Sequence, residues 1–115
     1  MDLENTKAQM RKGILEYCIL SILSRNSCYA SDIIKELKDA AIIVVEGTLY
    51  PLLMRQKNAG LLSYRWEESQ QGPPRKYYEL TDLGKVYLSN LDKSWKKLVK
   101  AVNKIRTVKN KKTLA

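Results

Sequence analysis

Two cations, Arg75 and Lys76, directly follow the turn Gly72-Pro73-Pro74, and the upstream segment Glu46 to Gly60 offers Thr48, Tyr50, Arg55 and Lys57 on its polar side. These side-chain types suit contact with a polyanion. A guanidinium forks onto a phosphate or a guanine edge, an ammonium is a mobile point charge, and hydroxyls anchor on phosphate oxygens. The paired prolines stiffen one arm of the turn, so Arg75 and Lys76 are presented from a rigid base suited to a minor-groove or phosphate contact. A solvated hairpin is the plainer alternative.

Catalytic chemistry finds little support. The chain has no histidine, which removes the commonest general base and transition-metal ligand. Cys18 and Cys28 cannot complete a four-ligand zinc site, and Cys18, among apolar residues at helical spacing, reads as a core thiol. The five glycines are scattered and form no phosphate-binding loop. No catalytic residue, metal or cofactor is expected, and the protein is expected not to be an enzyme.

The net charge of +9 lies almost wholly at the C-terminal end: residues 1–40 carry six basic and six acidic side chains, 41–80 five and four, and 81–115 ten and two. A basic protein attracts polyanions through a non-specific field. The run around Lys109 to Lys112 reads more simply as a solvated, frayed tail. At 115 residues the chain holds one domain with one modest core. No apolar run approaches the ~20 residues that span a bilayer, and the acidic start lacks a secretory pattern. A cytoplasmic location without membrane contact is expected.

These side chains need elements to position them. Apolar periodicity predicts a first helix over Thr6 to Ser24, with Ile14, Leu15, Cys18, Ile19, Ile22 and Leu23 on one face and Tyr17 and Leu20 adding a second. A helix apolar on two sides must be covered on two sides, here by its own core and by a partner subunit. A second helix begins near Ala30, with Ile33, Ile34 and Leu37 inward, and β-branched Ile42 to Val45 reads as a short strand. A third helix starts at Glu46 to Thr48, where Pro51 is tolerated as part of the first turn, and stops at Gly60. Leu49 and Leu53 mark its buried side.

A hairpin follows in two alternations. In the first strand Leu62, Tyr64 and Trp66 point one way and Ser63, Arg65 and Glu67 the other, and in the second Lys76, Tyr78 and Leu80 oppose Arg75, Tyr77 and Glu79. Trp66 reads as hairpin packing. Thr81 caps a last helix in which Leu88, Leu91, Trp95, Leu98, Val102 and Ile105 recur at heptad spacing. That seam predicts a dimerisation helix, with Ile14 and Tyr17 joining the interface. A short helix followed by a basic-stranded hairpin is the layout of a winged helix-turn-helix, a reader of duplex DNA.

The run Gly47-Thr48-Leu49-Tyr50-Pro51, then Leu53, Arg55 and Gly60-Leu61, then Gly72-Pro73-Pro74-Arg75-Lys76-Tyr77-Tyr78 with Leu80-Thr81 and Gly84, resembles the signature of PadR-type transcriptional regulators. The tail with Trp95 is similar to the short branch of that family with a single C-terminal helix, which includes multidrug-sensing repressors. The resemblance implies a winged-helix homodimer whose third helix enters the major groove through Thr48, Tyr50 and Arg55, while Arg75 and Lys76 contact DNA from the wing; Lys57, outward on the same helix, is expected to contact DNA as well. It also implies a small aromatic effector at the dimer interface beside Trp95 and Val99. Gln56-Lys57 stands where the family pattern usually continues Leu-Glu, which puts an amide on the buried face.

The fold class expected is therefore mainly α with a small β-hairpin: a winged helix-turn-helix over 6–80, a dimerisation helix over 81–108 and a basic tail over 109–115. The function expected is a ligand-responsive repressor that binds an inverted-repeat operator as a homodimer. The alternative is a winged-helix interaction module that binds an acidic protein partner.

Overall fold

A computed structural model describes residues 1–107; the tail assigned to 109–115 and the last residue of the 81–108 helix lie outside them. The elements are α1 (Leu3–Lys12), α2 (Leu15–Arg25), β1 (Cys28–Tyr29), α3 (Ala30–Asp39), α4 (Glu46–Asn58), β2 (Leu62–Glu67), β3 (Arg75–Leu80) and α5 (Asp82–Thr107). This is the expected class, a winged helix-turn-helix with a long C-terminal helix.

The single helix expected over Thr6 to Ser24 is two helices, broken at Gly13 and Ile14. Glycine is a poor helix-interior residue, and the break separates an α1 that buries nothing from an α2 that buries Leu15, Ile19, Leu20, Ile22 and Leu23. Around α2 pack Ile33 and Leu37 of α3, Leu49 and Leu53 of α4, Leu62 and Tyr78 of the hairpin, and Leu88 of α5. The second apolar side of α2 meets this chain's own α5, where the Tyr17 hydroxyl donates to Asp92 Oδ1 at 2.6 Å and its ring lies 6.0 Å from that of Trp95.

Two helix ends use the same device. After α4, Gly60 takes φ 82°, and the amides of Gly60 and Leu61 return to the carbonyls of Lys57 and Gln56, both at 3.0 Å. After α3, Ala41 takes φ 65°, and the amides of Ala41 and Ile42 return to Lys38 and Leu37 at 2.8 and 2.7 Å. Both are Schellman closures, but the second puts an alanine where the left-handed backbone favours glycine. The chain then runs through 42–45 with alternate burial and no strand pairing. The strand expected at Ile42 to Val45 is thus absent: β-branching supplies propensity, but the segment pairs with no strand of the sheet. The third strand is instead Cys28–Tyr29, which pairs antiparallel with Tyr78 and Tyr77 to give the order β1-β3-β2.

Pro51 sits inside α4, in its second turn rather than its first. Its missing amide deprives the Gly47 carbonyl of a helical donor, and Gly47 is solvent-exposed, so water can serve instead. The hairpin register matches the alternation, with Leu62 opposite Leu80, Tyr64 opposite Tyr78 and Trp66 opposite Lys76. At the start of α5 the Thr81 hydroxyl accepts from the Gly84 amide at 2.9 Å and donates to the Gly60 carbonyl at 2.6 Å. The cap therefore ties α5 to the end of α4. Gly84 is needed for this approach, because a Cβ there would overlap the Leu61 carbonyl and lie 2.8 Å from Leu80 Cδ1.

Candidate nucleic-acid interface

Helix α4 buries Leu49, Leu53 and Gln56, and this leaves the expected contact residues Thr48, Tyr50, Arg55 and Lys57 exposed. They lie on two flanks. Tyr50 and Lys57 lean toward the hairpin, bordering a cleft with Met54, Tyr64 and Lys76, whereas Arg55 lies toward α2. The Arg55 guanidinium holds the Glu16 carboxylate with both Nε, at 2.9 Å, and Nη2. The hydrogen bond to Glu16 raises the arginine's pKa. Arg55 is therefore a brace between α4 and α2 as well as a surface cation, and sequence spacing carried no sign of this, because its partner lies far upstream in the chain.

The amide noted on the buried face of α4 belongs to the same junction. Gln56 is 3% exposed and donates from Nε2 to the Glu16 carbonyl at 3.1 Å, while its Oε1 has no partner among the described residues. Burial without that bond would cost a desolvated amide, so Gln56 is a specific tie to the first turn of α2.

On the wing, Arg65 is paired with Glu67 at 2.8 Å and Glu79 at 3.8 Å. Among the described residues Arg75, Lys76 and Lys57 have no such carboxylate partner. They rest on rings instead: the Arg75 guanidinium is 3.8 Å from the Tyr29 ring centroid, and Lys76 Nζ is 4.4 Å from Tyr64 and 5.5 Å from Trp66. Aromatic faces orient a cation without neutralising it. Tyr29 enters this set from β1, the strand that propensity does not reveal. Between wing and α4 runs a groove of about 420 Å³ bordered by Ser31, Tyr50, Trp66, Arg75 and Lys76. Trp66 packs on Tyr64 and Lys76 of the hairpin as expected, but at 62% exposed it is not buried there.

The heptad stripe on α5 divides. Leu88 is buried in the chain's own core and Leu91 is partly buried against it, which corrects the expectation that both face a partner. Trp95, Leu98, Val102 and Ile105 are exposed, 39% for Trp95 and more for the others. Met10, Ile14, Trp95, Leu98, Val99 and Val102 line an apolar groove of about 440 Å³ between α1 and α5, which brings together the two residues expected to hold an effector. Tyr17, expected at the interface, is engaged with Asp92.

Among the described residues no three His, Cys, Asp or Glu side chains are grouped to hold a metal, and no helix is long and apolar enough to cross a membrane. Burial raises the pKa of both thiols, that of Cys28 to about 11, so neither is poised as a nucleophile.

Comparison with known proteins adds a family. The profile of the transcriptional regulator PadR-like family matches residues 19–90. A PadR-like transcription factor from Bacteroides fragilis is 62% identical, with 88% of this chain and 98% of that chain covered and a TM-score of 0.75. A PadR family transcriptional regulator from Eggerthella lenta is 33% identical over 92% and 93% of the two chains, with a TM-score of 0.84. A PadR-like transcriptional regulator from Bacillus cereus is 37% identical over 88% and 99%, with a TM-score of 0.77.

Proposed function

Since this chain belongs to the PadR-like family of transcriptional regulators, which are not enzymes, we propose that it acts in the cytoplasm as a ligand-responsive repressor that binds an inverted-repeat operator as a homodimer. The observation that carries this reading is the pair Arg75 and Lys76, held on aromatic rings at the wing, free of carboxylates among the described residues and facing the same groove as Tyr50 of α4. Thr48, Tyr50 and Lys57 contact DNA from α4 in the major groove, and Arg55 adds a phosphate contact through Nη1, which Glu16 leaves free. Two copies related by a two-fold axis set their α4 helices about 34 Å apart, one turn of duplex.

The exposed stripe Trp95, Leu98, Val102 and Ile105, with Ile14, forms the dimer seam, so the winged-helix unit over 6–80 and the C-terminal helix have separate duties. A flat aromatic ligand in the groove at Trp95 and Val99 acts by preferring one spacing of the two reading helices. Neighbouring residues of α2 supply a route: Tyr17 holds α5 through Asp92, and Glu16 holds α4 through Arg55 and Gln56. The lysines along α5 favour a neutral or anionic effector over a cation.

A mobility-shift titration against duplex from the region upstream of its own coding sequence, at two salt concentrations, tests the reading. Retardation that weakens steeply with salt supports it. Absence of retardation together with capture of an acidic protein partner would replace it with the interaction-module reading.

A further inference from the structure

Trp66 stands on the wing face that buries Leu62 and Tyr78 nearer the core, yet at the hairpin's outer end it lies in water, in register with Lys76. Its orientation is braced. Tyr64 meets it edge-on at 5.9 Å with an interplanar angle of 86°, and the Lys76 ammonium sits 5.5 Å over its ring. The indole, Pro74 and the two wing cations form one side of the groove beside α4, and Tyr50 and Glu46 stand on the other. A large aromatic held in place and left exposed beside the uncompensated Lys76 ammonium forgoes burial unless something covers it.

We propose that Trp66 is a DNA-contact residue whose indole packs against a deoxyribose of the strand whose phosphates Arg75 and Lys76 hold. The occupant follows from the order of chemistry along the groove. A sugar-phosphate strand alternates anionic and C–H-rich units, which matches the Lys76 ammonium beside the Trp66 ring in a groove that Arg75 also borders, and a helix lodged in the major groove must pass one such strand between itself and the wing. The Glu46 carboxylate repels phosphate from the opposite wall and keeps the charged units on the wing side. This contact rests on the DNA-binding reading above and adds to it a component of affinity that releases no counterion.

The test is a salt series of anisotropy titrations with labelled duplex from upstream of the protein's own coding sequence, for the parent, Trp66→Ala, Trp66→Phe and Lys76→Ala. Trp66→Ala is expected to weaken binding about tenfold with the parent's salt slope, and Trp66→Phe to recover most of the loss. Lys76→Ala is expected to lower the slope by about 0.9. Fluorine NMR of the parent carrying 5-fluorotryptophan, with the Trp66 signal assigned by its loss in Trp66→Phe, should show that signal shift on adding duplex. Parent affinity in Trp66→Ala overturns the proposal. So does a slope lowered as in Lys76→Ala, which would make the indole a prop for the lysine. If Trp66→Ala fails to fold, an unmoved fluorine signal at saturating duplex overturns it and a moved one upholds it. A parent that binds no duplex refutes the functional reading itself, whereas the other failures refute this contact alone.

Discussion

The Arg55 guanidinium on α4 and the Glu16 carboxylate on α2 are joined by two hydrogen bonds, Nε to Oε2 at 2.9 Å and Nη2 to Oε1, so the helix proposed to read DNA is fastened to the helix that also carries Tyr17. One turn of α2 thus touches both α4 and α5. Any movement of α5 that shifts Tyr17 acts on the first turn of α2, where Gln56 is also tied.

Glu16→Gln retains an oxygen acceptor for Arg55 but removes a negative charge beside the DNA-facing helix. Its thermal midpoint should stay close to the parent's, because Arg55 is largely exposed and surface pairs contribute little to folding. Duplex affinity should rise, with a salt slope steeper by up to about one phosphate contact as the guanidinium becomes available. Weaker binding at an unchanged slope would show that the brace, rather than the free charge, is what DNA binding requires.

Alkaline unfolding follows from two neutral acids. Tyr17 is pushed from 10.0 up to about 12, first by its hydrogen bond to Asp92 and then by burial, and Cys28 from 9.0 up to about 11, mainly by burial. The folded state holds these protons more tightly than the unfolded one, so their contribution is complete below pH 9 and is lost as the pH rises through 11 for Cys28 and 12 for Tyr17. Tyr17→Phe should cost about 1 kcal/mol near neutral pH through the lost hydrogen bond. It should also flatten the decline in stability above pH 10; denaturant melts as steep there as the parent's would contradict the assignment.

Ala41→Gly should stabilise the protein. Alanine at φ 65° carries a steric penalty that glycine lacks, and the greater freedom of unfolded glycine offsets part of the gain. A net gain of about 0.5–1 kcal/mol is expected in urea melts. A loss would mean that the methyl group makes packing contacts outweighing the backbone strain.

Leu98→Glu places a charge on the exposed part of the α5 stripe, at a side chain 56% exposed, so the isolated fold should tolerate it. Sedimentation should find monomers, and operator affinity should fall because two reading heads no longer act together. A monomeric variant with full operator affinity would refute the dimer.

Local physics made much of the fold legible. Gly60 as a left-handed stop, Thr81 as a cap and the two-residue alternation through Leu62, Tyr64, Tyr78 and Leu80 each specify their element from a few neighbouring residues. The break at Gly13 was local and still missed, but the other main differences lie where distant parts of the chain decide. Cys28 and Tyr29 form a strand because the edge of β3 lies beside them, and Ile42 to Val45 do not because they pair with no strand of the sheet. Heptad spacing ran through Leu88 without revealing that α2 and the hairpin already cover it. In the candidate site, Arg75 and Lys76 were readable from their place after the prolines. The Glu16 pairing of Arg55, the rings beneath the wing cations and the exposure of Trp66 depend on contacts across the fold.

The most direct test of the central claim is selection of bound sequences from random duplexes by the purified protein. A paired, DNA-reading regulator should enrich an inverted repeat whose half-sites lie about one helical turn apart. Enrichment of a single unpaired half-site, or of no sequence at all, would contradict the account.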